Sequence, residues 1–147
     1  MSTVQNENAK KILMVVANPA VSTMTGWPIG FWWAELTHPY WEFVQRGHEV
    51  TIVSPRGGDL EADAFSDPEH ASGYAAHDFV SLGFKRSLKY AALLKGTKSI
   101  AQVDPRAFDA VFLVGGQSPM YTMVNDGELH RFFAGFFEQG KIASAVC

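Results

Sequence analysis

Four segments of the chain are apolar in patterns that predict β-strands. Lys11–Ala17 and Ala110–Val114 are apolar at nearly every position, which is typical of central strands covered by helices on both faces of a parallel sheet. Glu49–Ser54 alternates polar and apolar residues, and Lys141–Val146 is a further run that leads into Cys147. These segments predict a sheet whose strands are separated by helical segments.

Apolar residues at three- and four-residue steps predict two amphipathic helices. The first spans Trp32–Arg46 and contains Pro39, which cannot donate an interior hydrogen bond and should kink the helix or start its second half. Its apolar face consists of Trp33, Leu36, Tyr40, Phe43 and Val44. The second helix starts at a cap, Asn125 or Asp126, and ends before Gly140. Its predicted buried stripe consists of Leu129, Phe132, Phe133, Phe136 and Phe137.

The segments between these elements predict mostly loops. They are a long loop over Asn18–Phe31, a turn over Pro55–Gly58, and an inserted loop over Asp59–Leu82, which has no convincing periodicity. A short helix over Lys85–Lys95 follows the inserted loop. Because strands alternate with helices, the sequence predicts an α/β domain with a mostly parallel sheet.

Composition and charge narrow the class of protein. The 147 residues fit a single domain, residues 11–147, preceded by a flexible polar tail over residues 1–10. Twelve Lys and Arg against fifteen Asp and Glu give a net charge of −3, which argues against a nucleic-acid surface. No apolar run approaches the ~18 residues of a membrane span, and a single cysteine excludes an intrachain disulfide. We therefore expect a cytoplasmic protein with neither a nucleic acid nor a membrane as partner.

Residues suited to chemistry lie at the carboxyl ends of the predicted strands, where open α/β sheets bind ligands. Cys147 follows a strand, and a thiol on a strand-to-helix turn is a nucleophile whose pKa the helix N-terminus lowers. A buried structural cysteine is the alternative interpretation. Gly115 and Gly116 end another strand, where the absence of side chains lets a substrate reach backbone N–H groups, as an oxyanion hole requires. An ordinary turn is the alternative for this pair.

Other candidate sites have weaker signals. Glu35 and His38 share a helix face, but two ligands do not make a metal site, so no metal is expected. Ser22–Gly26 is similar to a flavin phosphate loop, yet Asn18–Val21 separate it from the strand, so no cofactor is expected. The four tryptophans form either core or an apolar binding surface. The other histidines lack ligand spacing and are expected at the surface: His48, His70, His77 and His130.

Taken in order, these segments resemble the ThiJ/PfpI (DJ-one) superfamily within the class-I glutamine-amidotransferase-like fold. The resemblance rests on Thr25-Gly26, Glu35–Tyr40, Gly47–Val50, Ser54–Gly58, Val103–Gly116 and Ala143–Cys147. It covers nearly all of the chain from Lys11 onward, and its His-Pro-Tyr and Ser-Pro-x-Gly-Gly segments are most similar to the heat-shock chaperone and glutathione-independent glyoxalase branch. It implies a flavodoxin-like three-layer sandwich, of which this chain is the N-terminal portion.

The resemblance also implies roles for individual residues. Cys147 would be the nucleophile on a strained turn, and Glu35 the acid that hydrogen-bonds the sulfur and shuttles a proton. Gly116, with Gly115 and Gln117, would bind the substrate and stabilise the oxyanion. The implied reaction is a glyoxalase III-like conversion of a 2-oxoaldehyde into a 2-hydroxy acid. This chain has Gln117-Ser118 where that branch commonly has His-Gly, which changes the pocket wall.

Two other functions stay open at this point. One is a hydrolase or hydratase acting on another small electrophile, such as an amide or an isonitrile. The other is a stress-response holding chaperone with an apolar surface of Trp27, Trp32 and Trp33 and with Cys147 as an oxidation sensor. We further expect a homo-oligomer and a complementary C-terminal segment, from the same polypeptide or a second chain, that supplies the turn and helix beyond Cys147.

Overall fold

The computed structural model describes residues 8–147 and forms an α/β domain with a mostly parallel sheet. Its strands are β1 (Lys11–Val16), β2 (Ala20–Val21), β3 (Pro28–Ile29), β4 (Glu49–Ser54), β5 (Arg56–Gly58), β6 (Thr97–Ser99), β7 (Ala110–Val114) and β8 (Ile142–Ala145). The main sheet has the order β5-β6-β4-β1-β7-β8, and every neighbouring pair is parallel except β5 with β6. Strands β2 and β3 form a separate antiparallel pair.

In the described part of the chain, five α-helices connect or flank these strands. They are α1 (Trp33–Gln45), α2 (Phe79–Arg86), α3 (Leu88–Ala91), α4 (Pro119–Thr122) and α5 (Gly127–Glu138). Helix α1 continues through Pro39, and the Asp126 side chain caps α5 by accepting the Leu129 N–H. Within residues 8–147, none of the helices combines the length and the apolar character that crossing a bilayer requires.

Strand β1 lies at the centre of the domain because both of its faces are buried. Met14 and Val16 face the core beneath α1, where Leu36 is fully buried. Leu13 and Val15 face the opposite core, which also contains apolar residues of α5. The continuous apolar run predicted for this strand is therefore explained by helices on both sides of the sheet.

The expected turn over Pro55–Gly58 is shorter than predicted: the chain bends at Pro55, and Arg56–Gly58 forms an edge strand antiparallel to β6. Glycine permits this arrangement, since Gly57 has a φ of +75° and a Cβ there would lie 2.9 Å from the carbonyl oxygen of Thr97. Strand β6 itself was not predicted, because three residues give too short a pattern to detect. The expected long loop over Asn18–Phe31 likewise contains the β2–β3 pair.

The single helix expected over Lys85–Lys95 is also wrong. Ser87 takes an extended conformation and its hydroxyl accepts the Tyr90 N–H, so α2 ends at Arg86 and α3 begins at Leu88. The expected inserted loop over Asp59–Leu82 already contains the start of α2 at Phe79.

The buried stripe of α5 is narrower than expected. Phe136 is buried as predicted, whereas Phe137, which was predicted to be buried too, is 75% exposed. At 3.6 residues per turn Phe137 lies about a quarter turn from the centre of the stripe, which places it at the edge of the helix–sheet contact. Of the tail expected over residues 1–10, residues 1–7 lie outside the described part of the chain. Lys10 is held by the fold: its N–H donates to Nδ1 of His48, and its carbonyl oxygen accepts the Glu49 N–H.

Candidate active site

Hydrogen bonds join the loops at the carboxyl ends of the parallel strands. The Asn18 side chain, just after β1, donates to the Gly57 carbonyl oxygen at 2.9 Å and to the Ser54 hydroxyl at 3.3 Å. The Ser118 hydroxyl, beyond β7, donates to the carbonyl oxygen of Asn18. Cys147 lies at this same edge, after β8, and is exposed. This is the sheet edge at which the sequence predicts the functional residues.

Glu35 and Cys147 meet at Gly115. A Cβ built on Gly115 would overlap Oε2 of Glu35 and the carbonyl oxygen of Val146, and would lie 3.0 Å from Cα of Cys147. Glu35 reaches this point from the first turn of α1, while Gly115 follows β7 and Cys147 follows β8. The absence of a side chain at Gly115 is therefore what allows the carboxyl group to approach the cysteine.

The Glu35 carboxyl group is held in an environment that favours its neutral form. Its Oε2 is buried and has no hydrogen-bond partner among the described residues. Burial raises the pKa of Glu35 above its ordinary value of 4.5, the negative charge of Asp63 raises this pKa further, and the Gly115 N–H opposes both. Among the described residues, the expected hydrogen bond from this carboxyl group to the Cys147 sulfur is not formed. A carboxyl group whose pKa is raised is nevertheless suited to accept and return a proton.

Gly116 is the residue of the Gly115–Gln117 loop whose N–H has no partner in residues 8–147. Its φ of +139° is in the region that favours glycine, and a Cβ there would lie 2.5 Å from the Gly30 carbonyl oxygen and 2.7 Å from Cα of Phe31. The neighbouring N–H groups are occupied: that of Gly115 by Glu35 and that of Gln117 by Asp63. Of the three residues expected to bind an oxyanion, Gly116 thus has the N–H that is free to do so.

Two polar residues that the sequence did not single out hold this arrangement. The buried Asp63 carboxylate accepts the N–H groups of Gly30 and Gln117. The buried Ser66 hydroxyl accepts the Trp33 N–H at 3.1 Å, and so caps α1, which has no side-chain cap of its own. Both residues lie in the segment expected to be an inserted loop, where neither spacing nor periodicity distinguishes them.

His38 faces away from this arrangement and does not share a metal site with Glu35. Its Nε2 pairs with Oδ1 of Asp78 at 2.8 Å, and Asp78 also accepts the Ser81 N–H at the start of α2. No group of three or more His, Cys, Asp or Glu within residues 8–147 is arranged to hold a metal ion. The apolar surface expected from three tryptophans is wrong for Trp33, the first residue of α1, which is buried against Phe31 and Phe84.

Comparisons with known proteins agree with this fold. The chain is 24% identical over 118 residues to Glyoxalase 3 of Candida albicans, which covers 80% of this chain and 48% of that protein. It is 29% identical over 114 residues to Protein/nucleic acid deglycase 2 of Escherichia coli, covering 78% of this chain and 52% of that protein. The chain therefore spans about half the length of the curated relatives that it matches.

A solved structure shows the same fold. The Rapid Encystment Protein of 24 kDa from Francisella tularensis superposes with a TM-score of 0.80 at 24% identity, over 94% of this chain and 58% of that one. The sequence model of the DJ-1/PfpI family matches residues 29–147, which include α1, the Gly115–Gln117 loop and Cys147. This match extends over most of the chain and confirms the resemblance found in the sequence. The chain belongs to the DJ-1/PfpI family.

Proposed function

We propose that the protein is a cysteine-dependent enzyme that converts small 2-oxoaldehydes into 2-hydroxy acids without glutathione. The observation that supports this proposal most strongly is the buried, unpartnered Oε2 of Glu35 beside Cys147. A buried polar atom that lacks a partner is costly in a folded protein, and here it lies near the backbone of Cys147, the exposed residue that carries the thiol. Such an atom is suited to exchange a proton with a substrate attached to that thiol.

In the first step the Cys147 sulfur attacks the aldehyde carbon of the substrate. The ionised form of Glu35, a stronger base than an ordinary carboxylate because its pKa is raised, accepts the thiol proton as the carbon–sulfur bond forms. The aldehyde oxygen becomes an alkoxide. The free N–H of Gly116 donates to that oxygen, which stabilises the developing negative charge. Return of the proton from Glu35 to the alkoxide gives a neutral hemithioacetal.

In the second step Glu35 moves the hydrogen of the former aldehyde carbon to the neighbouring carbonyl carbon through an enediol. The product is a thioester of a 2-hydroxy acid on Cys147. Water hydrolyses this thioester, which releases the acid and regenerates the thiol. Because Cys147 forms and breaks the only covalent bond to the substrate, the cycle uses no external thiol.

Deglycation is a second candidate function. It is supported by the name of the Escherichia coli relative and by the exposure of Cys147, which leaves the thiol accessible to a carbonyl adduct attached to a larger molecule. The first chemical step would resemble that of the glyoxalase reaction, since the Cys147 sulfur would attack the carbon that came from the carbonyl compound. The two functions differ in what leaves the attacked carbon: nothing leaves a free 2-oxoaldehyde on addition, whereas deglycation releases an amine.

The test uses methylglyoxal with the full-length protein in buffer free of glutathione. The proposal expects lactate to form in proportion to methylglyoxal consumed, and expects Cys147→Ser to abolish it. The Glu35→Gln variant lacks the proton acceptor of both steps, so its rate of lactate formation should also fall strongly. Lactate formation by Cys147→Ser at the wild-type rate would overturn the proposal. Release of amine from a glycated peptide, without conversion of free methylglyoxal, would favour deglycation instead.

A further inference from the structure

Asp63 is a buried carboxylate for which the reaction above has no use. The residue is 2% exposed. Its Oδ1 accepts the Gly30 N–H at 2.9 Å, and its Oδ2 accepts the Gln117 N–H at 2.7 Å. No Lys, Arg or His side chain within residues 8–147 forms an ion pair with it. A buried carboxylate is unfavourable without compensation. Two backbone N–H groups compensate this one in part, since burial raises the pKa of Asp63 by more than the Gly30 and Gln117 hydrogen bonds lower it.

The backbone of Asp63 extends these connections to α1. Its N–H donates to the Phe31 carbonyl oxygen at 2.7 Å. Its carbonyl oxygen accepts the Ser66 hydroxyl at 2.7 Å, and the same hydroxyl caps α1 at Trp33. We call these contacts, from Asp63 and Ser66 to Gly30, Phe31, Trp33 and Gln117, the Asp63 bridge. The bridge joins the segment before α1, the first turn of α1 and the loop after β7.

Each segment joined by the Asp63 bridge positions one part of the proposed site. The first turn of α1 includes Glu35. The Gln117 N–H lies in the 116–117 peptide, so its bond to Asp63 holds one side of Gly116, next to the 115–116 peptide that carries the Gly116 N–H. Gly116 also packs against Gly30 and Phe31, so their position limits where the loop can lie.

We propose that Asp63 is a positioning residue that holds the Gly116 N–H and the Glu35 carboxyl group in register with Cys147. The inference rests on the proposed roles of Glu35, Gly116 and Cys147. Two carboxylate oxygens are needed, because each accepts from a different segment and a single acceptor satisfies only one of them. An amide at this position offers one oxygen and presents N–H donors to the other backbone N–H.

Asp63 also acts on Glu35 through its charge. The negative charge of Asp63 raises the pKa of Glu35, second to burial. Among the described residues, the titratable group that acts on the Glu35 carboxyl is Asp63, and the backbone of Cys147 lies on the same side of Gly115. His38 is bonded to Asp78, and Glu61 is exposed. A neutral residue at position 63 should therefore lower the pKa of Glu35 and move its titration to lower pH. A substitution that only loosened the fold, without removing a charge near Glu35, would not produce this shift.

The experiment compares Asp63→Asn with the wild-type protein. We expect kcat for methylglyoxal to fall ~10- to 100-fold with little change in KM, because misplacing an oxyanion donor slows the chemical step more than binding. We also expect the limb of the pH profile that reports Glu35 to move to lower pH. The matched control is Asp59→Asn, since Asp59 likewise accepts a backbone N–H, that of Gly96, but is exposed. The control should keep the wild-type kcat and pH profile.

A second readout separates this inference from the proposed function. The rate of Cys147 alkylation by iodoacetamide is measured against pH for the same three proteins, and it requires no turnover. A wild-type protein without carbonyl activity would refute the proposed function, while a shifted alkylation profile for Asp63→Asn would still support the positioning role. A folded Asp63→Asn protein with unchanged kcat and unchanged alkylation profile would overturn it.

If Asp63→Asn does not fold, amide hydrogen exchange of the wild-type protein gives the answer. The Asp63 bridge predicts protected amides at Gly30 and Gln117 beside a faster-exchanging amide at Gly116. Exchange of Gln117 as fast as that of Gly116 would overturn the inference.

Discussion

Oε2 of Glu35 and Cα of Cys147 approach Gly115 from the side where a Cβ would lie. A Cβ on Gly115 would overlap the former atom and lie 3.0 Å from the latter. The two residues come from distant parts of the chain, one from the first turn of α1 and the other from beyond β8. Their meeting point has no room for a side chain, so the glycine is a geometric requirement of the site.

Replacing Glu35 with Gln should change how stability depends on pH. The pKa of Glu35 is raised in the folded protein, so the folded state binds the proton more tightly than the unfolded state does. Its contribution to stability is present below the ordinary value of about 4.5 and is lost as pH rises through the raised value. The free energy of unfolding of Glu35→Gln, relative to wild type, should therefore increase across that interval. Urea unfolding at several pH values measures this difference, and parallel curves would contradict it.

Asp78 should show the opposite trend. Its pKa is lowered overall: burial raises it, but hydrogen bonds from Ser81 and the pairing with His38 outweigh burial. The contribution to stability is present above the ordinary value of 3.8 and is lost as pH falls through the lowered one. Asp78→Asn keeps a good helix cap but removes this charge. The variant should be less stable than wild type at neutral pH, and the difference should vanish in acid. A difference that persists unchanged to low pH would contradict the assignment.

Gly116→Ala should damage both stability and activity. Its φ of +139° is unfavourable for alanine, and the added methyl group would press on the backbone of Gly30 and Phe31. We expect a loss of ~1–3 kcal/mol in unfolding free energy, together with a large loss of turnover. The matched control is Gly83→Ala within α2, where nothing lies within 4 Å of the added Cβ. The control should gain up to ~1 kcal/mol and retain activity. Equal effects at the two sites would contradict the account.

Leu36→Ala tests the packing that holds α1 on the sheet. Leu36 is fully buried in the core beneath α1. Its truncation should lower the free energy of unfolding by ~2–5 kcal/mol. Leu88→Ala removes the same atoms at a residue that is 91% exposed and should cost less than ~0.5 kcal/mol. Chemical denaturation measures both, and similar losses would show that α1 is not anchored by this residue.

The sequence was most informative where one pattern repeats along a buried element. Glu49–Ser54 and Ala110–Val114 have the predicted bounds, because their apolar residues face cores on the sheet. Phe137 shows the limit of periodicity, since the width of a helix–sheet contact depends on the partner surface. Strand β6 has three residues and pairs with β4 on one side and β5 on the other. It is therefore defined by its partners and not by a pattern in its own sequence.

The candidate site was predictable in part for the same reason. Cys147, Gly115 and Gly116 follow apolar strands, so the sheet edge could be located from pattern alone. Asp63 and Ser66 gave no comparable signal, because their importance comes from backbone groups about 30 to 50 residues away along the chain. A polar residue in an aperiodic segment has the same appearance in sequence whether it is solvated or buried.

The most direct test of the central claim is a double-mutant cycle on Cys147 and Glu35. Lactate formation from methylglyoxal is measured for the wild type, Cys147→Ser, Glu35→Gln and the double variant, all in the full-length protein without glutathione. Groups that act as one unit give strongly non-additive losses. We predict that Glu35→Gln loses ~10²- to 10⁴-fold in kcat, that Cys147→Ser loses more, and that the double variant is no slower than Cys147→Ser. Losses that multiply in the double variant, or turnover by Cys147→Ser at the wild-type rate, would contradict the claim that the two residues act together.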